Sequence, residues 1–386
     1  MTNFGFQFQL ERYTGTDRDS DLPVSIQEWK RLAREKLNDE AWWYIEGSAG
    51  SGDTYSENEE RFRHYRVRPR YCRNVEKSNI GCNFLGKERS SPFIIAPLGA
   101  LSIIERNADV MGAMAAETLD IPYCLSTVSS NSIEEIAQSA PRAEKWFQLY
   151  PGKDRDIMKS FVRRAERAGF SAIVVTVDTT MLGWRENDLR NAYLPFLQGH
   201  GIANYVTDPV FRKRLAVEPE KDMKSAIMEW LGIYVNPAFD WNYFDEIRSW
   251  TSLPLLVKGI TGVGDVRSAF EHGAEGVVVS NHGGRQVDGA ISTIDALNEI
   301  TGSGSYDGEI FLDSGVRHAS DVMRAFCMRA AGVLIGRPYA YALAVAGRRG
   351  VERLFREFKG ELSLQLALSG FNSLKELGRE HIVRFQ

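Results

Sequence analysis

GVVVSNHGGRQ, residues 276–286, opens as a buried strand and runs without a break into a polar, glycine-rich turn. Short runs rich in β-branched residues read as strands covered on both faces. The same form recurs along the chain, in FIIAP (93–97), YCLS (123–126), WFQLY (146–150), AIVVTVD (172–178), PLLVKG (254–259), EIFLD (309–313) and GVLIG (332–336). Between most of these runs lie amphipathic stretches with helix signals. In SIEEIAQ (132–138), Ser132 and Glu135 stand at capping-box spacing. KDRDIMKSFVRRAERAG (153–169) and VGDVRSAFEHG (263–273) each end at a glycine.

Eight strand–helix units in series call for parallel pairing with right-handed crossovers. Spread over about 245 residues, they fit a closed TIM (β/α)8 barrel better than an open doubly wound sheet. The rhythm breaks once, between Asp178 and Pro254, where an insertion at about 181–250 follows strand 4. Long loops of this kind are expected to be lids or loosely ordered. Residues 1–92 precede the barrel and carry helical patterns such as SIQEWKRLAREKLNDEAWWYIEGSA. No low-complexity linker divides the chain. The expected organisation is an N-terminal helical segment (1–92) packed on a barrel (93–386), forming a single domain from about 24 to 384.

Composition removes several functions. With 43% hydrophobic residues, 25% charged residues and a net charge of −4, the chain reads as an ordinary globular protein with no nucleic-acid partner. No run approaches the ~20 apolar residues of a membrane span. The first residues lack the pattern of a secretory signal, which makes the cytoplasm the expected location. The four cysteines, Cys72, Cys82, Cys124 and Cys327, form no CxxC pair and suggest neither a zinc site nor a redox motif. GCNFLGKE (81–88) has the spacing of a P-loop, but Glu88 replaces the metal-binding hydroxyl and no buried strand precedes it. GITGVGDV (259–266) does not complete a dinucleotide-binding fingerprint.

Barrel chemistry collects at the C-terminal ends of the strands. Here those ends carry Ser126, Gln148 with Tyr150, Thr176 with Asp178, Lys258, SNHGGRQ (280–286), DSGVR (313–317) and GRP (336–338). Packing alone does not account for polar groups at seven successive strand ends, so a functional site is expected at that mouth. Gly315, Arg317, Gly336 and Arg337 follow strands 7 and 8, where barrels often hold a phosphate.

SNHGGRQ resembles the active-site signature of the FMN-dependent 2-hydroxy-acid oxidases and dehydrogenases. The resemblance extends through FQLY, TVDT, LVKG, DSGVR, IGRP and LSGFNSLKEL. It implies FMN as cofactor and no metal. By position it assigns His282 as the base and Asp178 as its orienting carboxylate. Arg185 and Arg285 would bind the substrate carboxylate, and Tyr44 and Tyr150 would hydrogen-bond the substrate. Ser126, Gln148, Thr176 and Ser280, with Leu98 and Gly99, would hold the flavin ring. Lys258 would face its N1 edge, Asp313 the ribityl chain, and Gly315, Arg317, Gly336 and Arg337 the phosphate. Relatives form homotetramers or larger assemblies, so a homo-oligomer is expected.

APLGA (96–100), LGWRENDL (182–189) and PFLQGHGIANYVTDPVF (195–211) resemble the lactate 2-monooxygenase branch of that family. The expected reaction is oxidation of a small L-2-hydroxy acid, L-lactate first, by O2, giving acetate, CO2 and water. The alternatives are an oxidase releasing 2-oxo acid and hydrogen peroxide, and a dehydrogenase with another electron acceptor. Val128, where some relatives place a large aromatic residue, would allow a bulkier substrate. Leu182, Trp184 and Tyr205 are expected to line or cover the side-chain pocket. A flavin-binding sensor and a metal-dependent hydrolase fit the residues less well.

Overall fold

The computed structural model describes residues 3–385. Eight strands close into a parallel barrel: β1 (Phe93–Ile95), β2 (Tyr123–Ser126), β3 (Lys145–Leu149), β4 (Ala172–Thr176), β5 (Leu255–Ile260), β6 (Gly276–Val279), β7 (Glu309–Leu312) and β8 (Gly332–Ile335). All eight runs read from the sequence form these strands, and nearly every strand residue is buried. That explains their lack of polar alternation, since the barrel interior takes one face and the helices take the other.

The helices follow their capping signals. Ser132 and Glu135 form both bonds of the capping box that starts Ile133–Ser139. Asp154 caps Arg155–Arg167 by accepting from Ile157 N, and that helix buries Ile157, Met158, Phe161, Val162 and Ala165 against the barrel. Helices Val263–Glu271, Thr293–Gly302 and Ala319–Cys327 follow β5, β6 and β7. After β8 comes Arg337–Leu368, which breaks at Ala346 and Gly347 into two helical pieces.

One end of the barrel is plugged. GCNFLGKE forms an antiparallel hairpin, Cys82–Phe84 with Lys87–Arg89. Its Phe84 sits edge-on to Trp146 and Phe311, with ring centroids 6.0 and 5.5 Å away. Chemistry is thereby left to the other mouth.

Ahead of this hairpin, helices Phe4–Tyr13, Ile26–Lys36, Asp39–Glu46 and Asp53–Glu60 precede a short strand, Tyr65–Val67, which pairs antiparallel with Ile382–Arg384. A buried ion pair, Arg353 to Asp17 at 2.8 Å, pins the first of these segments to the last long helix. Helix Asp39–Glu46 carries Tyr44 to the open mouth.

The insertion is packed rather than loose. It contains helices Glu186–Arg190 and Met223–Tyr234 and several single turns, and Trp241–Trp250 completes the fourth barrel unit. Asn204 docks it on the barrel: its amide donates to Ser126 O, Thr127 O and Ser129 Oγ and accepts from Ile133 N. Arg164 meets Asp208 at 3.1 Å in a buried ion pair. Such fully satisfied buried polar groups fix a single arrangement.

Candidate active site

At the open mouth lies a cavity whose lining runs from Tyr44 through Tyr150, His282 and Arg285 to Arg337. His282 lines it from the turn after β6, with φ +58, a left-handed conformation that is uncommon for a residue with a side chain. Gly283 and Gly284 continue at φ +65 and +72, and a methyl on Gly284 would sit 2.6 Å from Tyr55 N. The glycines therefore allow the turn to press against the N-terminal segment, and the strain falls on His282.

His282 Nδ1 lies 2.8 Å from Asp178 Oδ1. A carboxylate there fixes the tautomer with the proton on Nδ1 and leaves Nε2 as the acceptor. The nearest protein group to Nε2 is the Tyr150 hydroxyl, at 3.4 Å. Burial lowers the proton affinity of His282 below that of ordinary imidazole, and Lys258 and Arg185 add to this against the pull of Asp178. Burial works against ionised Asp178, yet His282 and Lys258 outweigh it and hold its carboxyl at about 2. The pair is a neutral imidazole backed by a firmly ionised carboxylate.

Arg185 and Arg285 both line the cavity. Arg185 Nη2 donates to Gln286 Oε1 at 3.0 Å, and Arg285 Nη1 donates to Gly47 O at 2.8 Å. Arg285 also lies 5.3 Å from the Tyr44 ring centroid. Burial, together with Arg185 and Arg337 nearby, pushes Arg285 down to about 9. Such crowding of cations marks a place built for an anion. Tyr44 and Tyr150 line the same space, and burial raises both phenols, so they stay protonated donors.

Two polar arcs run beneath the cavity. Ser126 Oγ donates to Gln148 Oε1 at 3.1 Å, and Gln148 Nε2 donates to Thr176 Oγ1 at 2.9 Å. On the other side Lys258 Nζ donates to Ser280 Oγ at 3.0 Å and pairs with Asp313 at 3.2 Å. The barrel register creates these arcs by setting Ser126 beside Gln148 and Thr176 beside Lys258. Of the twelve residues expected to hold cofactor, Leu98, Gly99, Lys258, Asp313, Gly315, Arg317, Gly336 and Arg337 line the cavity. Ser126, Gln148, Thr176 and Ser280 lie buried behind that lining, joined by the arcs.

The cavity suits a long anionic cofactor with a planar head. Pro97, Leu98 and Gly99 give the lining an apolar part, while Lys258, Arg317 and Arg337, with the helix that begins at Arg337, give it a cationic one. Arg337 donates to Ile45 O, Gly47 O and Gly283 O at 2.9 to 3.1 Å, which leaves an N–H free on each terminal nitrogen. Gly336 carries no side chain over this helix start, and a methyl there would meet nothing closer than 3.8 Å. A helix N-terminus beside arginines has the chemistry that would suit a phosphate, although one Arg317 nitrogen is already taken by Glu59 at 2.7 Å.

A family model described as FMN-dependent dehydrogenase matches residues 33–384. The chain belongs to the FMN-dependent dehydrogenase family. Its cofactor is FMN, and it is an oxidoreductase of 2-hydroxy acids. It is similar to L-lactate oxidase of Lysinibacillus sphaericus (strain C3-41), 38% identical over 356 residues and covering 92% of each chain. It is equally similar to the FMN-dependent alpha-hydroxy acid dehydrogenase qulF of Penicillium citrinum, 38% identical over 98% of this chain and 95% of that one. Among solved structures, (S)-mandelate dehydrogenase superposes with a TM-score of 0.86 at 29% identity, covering 94% of this chain and all of that one. Mandelate oxidase superposes with a TM-score of 0.83 at 33% identity, with coverage of 94% and 100%. Among the described residues of this family member, no helix is long and apolar enough to cross a membrane.

The structure corrects two expectations about the side-chain pocket. Trp184 points to solvent, with 70% of its surface exposed. Tyr205 is fully buried between the insertion and the barrel helix Arg155–Arg167, against Phe211 and Phe161. Leu182 and Val128 do line the cavity. The larger wall comes from Phe196 and Tyr234, which the sequence did not single out. Ring contacts run from Tyr44 to Phe196 (6.3 Å), Phe196 to Tyr234 (6.0 Å) and Tyr234 to Tyr150 (5.7 Å). Thr179, another residue not singled out, lies at the back of the His282 ring.

Proposed function

We propose that this protein oxidises a small L-2-hydroxy acid, L-lactate first, with O2 as electron acceptor. The observation that carries the reading is the His282 Nε2 atom, backed at 2.8 Å through Nδ1 by Asp178 and facing one cavity with Arg185 and Arg285. A 2-hydroxy acid offers a carboxylate for the arginines and a proton for the imidazole. Arg185 and Arg285 bind the carboxylate, and Tyr44 and Tyr150 donate to the substrate oxygens. His282 Nε2 takes a proton from the substrate, and Asp178 stabilises the imidazolium that results. FMN supplies the two-electron acceptor when bound. Lys258, whose proton is held through burial by Asp313 and Asp178, supplies positive charge beside it. Gly99 lines the cavity, its backbone packed so closely on Val128 that a methyl there would lie 2.6 Å from Cγ2. The similarity to an L-lactate oxidase supports O2 as the acceptor.

A second reading is monooxygenation, with acetate, CO2 and water as products. It is favoured by the aromatic wall, half of which comes from the insertion and screens the cavity, so that 2-oxo acid and peroxide would meet before leaving. Val128 lines the cavity with a small side chain, which leaves room for substrate side chains larger than methyl.

The test is anaerobic addition of L-lactate to FMN-loaded protein. Bleaching of the flavin band near ~450 nm establishes the reaction. A flavin that lactate does not bleach, while a bulkier 2-hydroxy acid does, moves the substrate and keeps the chemistry. Aerobic turnover then separates the readings: pyruvate with equimolar peroxide marks the oxidase, and acetate marks the monooxygenase.

A further inference from the structure

The Asp178 carboxylate is held by one oxygen. Oδ1 accepts from Thr179 Oγ1 and from His282 Nδ1, each at 2.8 Å, while Oδ2 is buried and has no hydrogen-bond partner among the described residues. The backbone of β5 enforces this. The ladder shifts register between Lys258 and Ile260, and Gly259 there has φ +107. A methyl on Gly259 would lie 2.7 Å from Oδ2 and 2.6 Å from Cγ of Asp178. The carboxylate therefore rests on bare backbone, and its free oxygen is closed off on that side. Thr179 and His282 share the other one.

We propose that Thr179 is a positioning residue whose hydroxyl, by donating to the oxygen that His282 uses, keeps His282 a weaker base than Asp178 alone would make it. A donor on a carboxylate draws charge from it and weakens its hold on an imidazolium. Thr179 Oγ1 also stands 3.3 Å from His282 Nδ1, and accepting from that N–H would act in the opposite sense. The contact to Asp178 is shorter and charge-assisted, so it dominates.

Several other groups face His282. Asp178 pulls its proton affinity up, while Lys258 from β5 and Arg185 from the insertion push it down. The Tyr150 hydroxyl lies near Nε2. Thr179 differs from the charged groups because removing its hydroxyl changes no charge in the cavity. A base that must be neutral before it acts benefits from this restraint, since at neutral pH a larger share of the protein is ready to accept a proton.

This inference rests on the reading of His282 as the base, but its first test does not. FMN-loaded protein labelled with ¹⁵N-histidine would be titrated by NMR, with the His282 signals identified by their loss in His282→Gln. In Thr179→Val the His282 midpoint should rise by about half a pH unit, the size expected for losing one hydrogen bond to the carboxylate. Thr179→Ser, which keeps the hydroxyl, should stay at the wild-type midpoint. A midpoint that is unmoved or lowered in Thr179→Val overturns the proposal. Should valine disturb the fold, Thr179→Ala removes the hydroxyl without added bulk and is judged by the same criterion.

The second readout is the rate of anaerobic flavin reduction against pH. Its acid limb should move upward with the NMR midpoint in Thr179→Val, while substrate Kd stays within about twofold. A change in Kd with a fixed acid limb would make Thr179 a substrate contact and overturn the proposal. A wild-type flavin that no 2-hydroxy acid reduces, combined with the expected NMR shift, would remove the proposed function and leave the coupling of Thr179 to His282 standing.

Discussion

Arg185 donates through Nε to the backbone carbonyl of Arg285 at 3.2 Å, so the two guanidinium groups facing the cavity are set in one arrangement. The insertion after β4 and the turn after β6 are thereby joined at the point where a substrate carboxylate would bind. Replacing either arginine by lysine keeps the charge and loses the fork. For each variant we predict a Kd for oxalate, a non-oxidisable carboxylate, weakened about 10- to 100-fold, the worth of one charge-assisted hydrogen bond. Titration of the bound flavin's visible spectrum measures it. Unchanged binding in both variants would remove the arginines from the carboxylate site.

The pH dependence follows from His282. Neutral imidazole is the active form, and its proton affinity lies below the ordinary value of 6.5. The rate of flavin reduction should therefore hold level down to pH 6.5 and fall only in more acid solution. Stability should follow the same direction, because below pH 6.5 the unfolded chain takes up a proton that folded His282 resists. Asp178 adds a second loss, which begins as pH falls through 3.8 and is complete near 2. Stopped-flow rates and urea midpoints across pH 4 to 8 test the His282 part. An acid limb centred above 6.5 contradicts it.

Lys258 is buried and contacts Ser280 and Asp313, with the Asp313 carboxylate 3.2 Å away. Lys258→Met should cost about 3 to 5 kcal/mol in unfolding free energy, because it leaves a buried carboxylate without its cation. Adding Asp313→Asn should recover part of that loss. Denaturant unfolding of the single and double variants provides the measurement, and additive losses would show that the two groups do not interact.

The aromatic wall predicts a change of substrate. Phe196→Ala opens the side of the cavity between Tyr44 and Tyr234. We expect kcat/KM for a phenyl-bearing 2-hydroxy acid to rise relative to L-lactate by about tenfold, the worth of one or two methylenes of added room. Phe196 is buried, and its truncation should also lower stability by about 3 to 5 kcal/mol. A fixed substrate ratio in a folded variant would place the side-chain pocket elsewhere.

The barrel was legible because each strand is a continuous apolar run between polar turns, a pattern that depends only on burial. His282 and Asp178 were legible because they sit just beyond strand ends, where direction is fixed, and Arg185 and Arg285 because they stand in motifs that carry the family resemblance. The insertion was not. Its elements Ala203–Val206 and Pro209–Arg212 are four residues each, too short to show a helical period, and Asn204 docks them through bonds that no local pattern announces. Inward and outward aromatic residues therefore looked alike, which is why Tyr205 and Trp184 were assigned to the pocket and Phe196 and Tyr234 were passed over. Thr179 was quoted only as the end of TVDT, because the sequence does not show that Gly259, eighty residues on, packs against the other oxygen of Asp178.

The ring wall and the proton-handling pair have different origins along the chain. Tyr44 comes from the N-terminal segment, and Phe196 and Tyr234 come from the insertion, whereas Asp178 and His282 stand just beyond the ends of barrel strands 4 and 6. Of the four rings only Tyr150 belongs to the barrel proper, and Tyr150 alone also touches His282. Exchange between relatives of the stretch beyond Arg185, which carries Phe196 and Tyr234, would alter the ring wall while leaving Asp178, Arg185 and His282 in place.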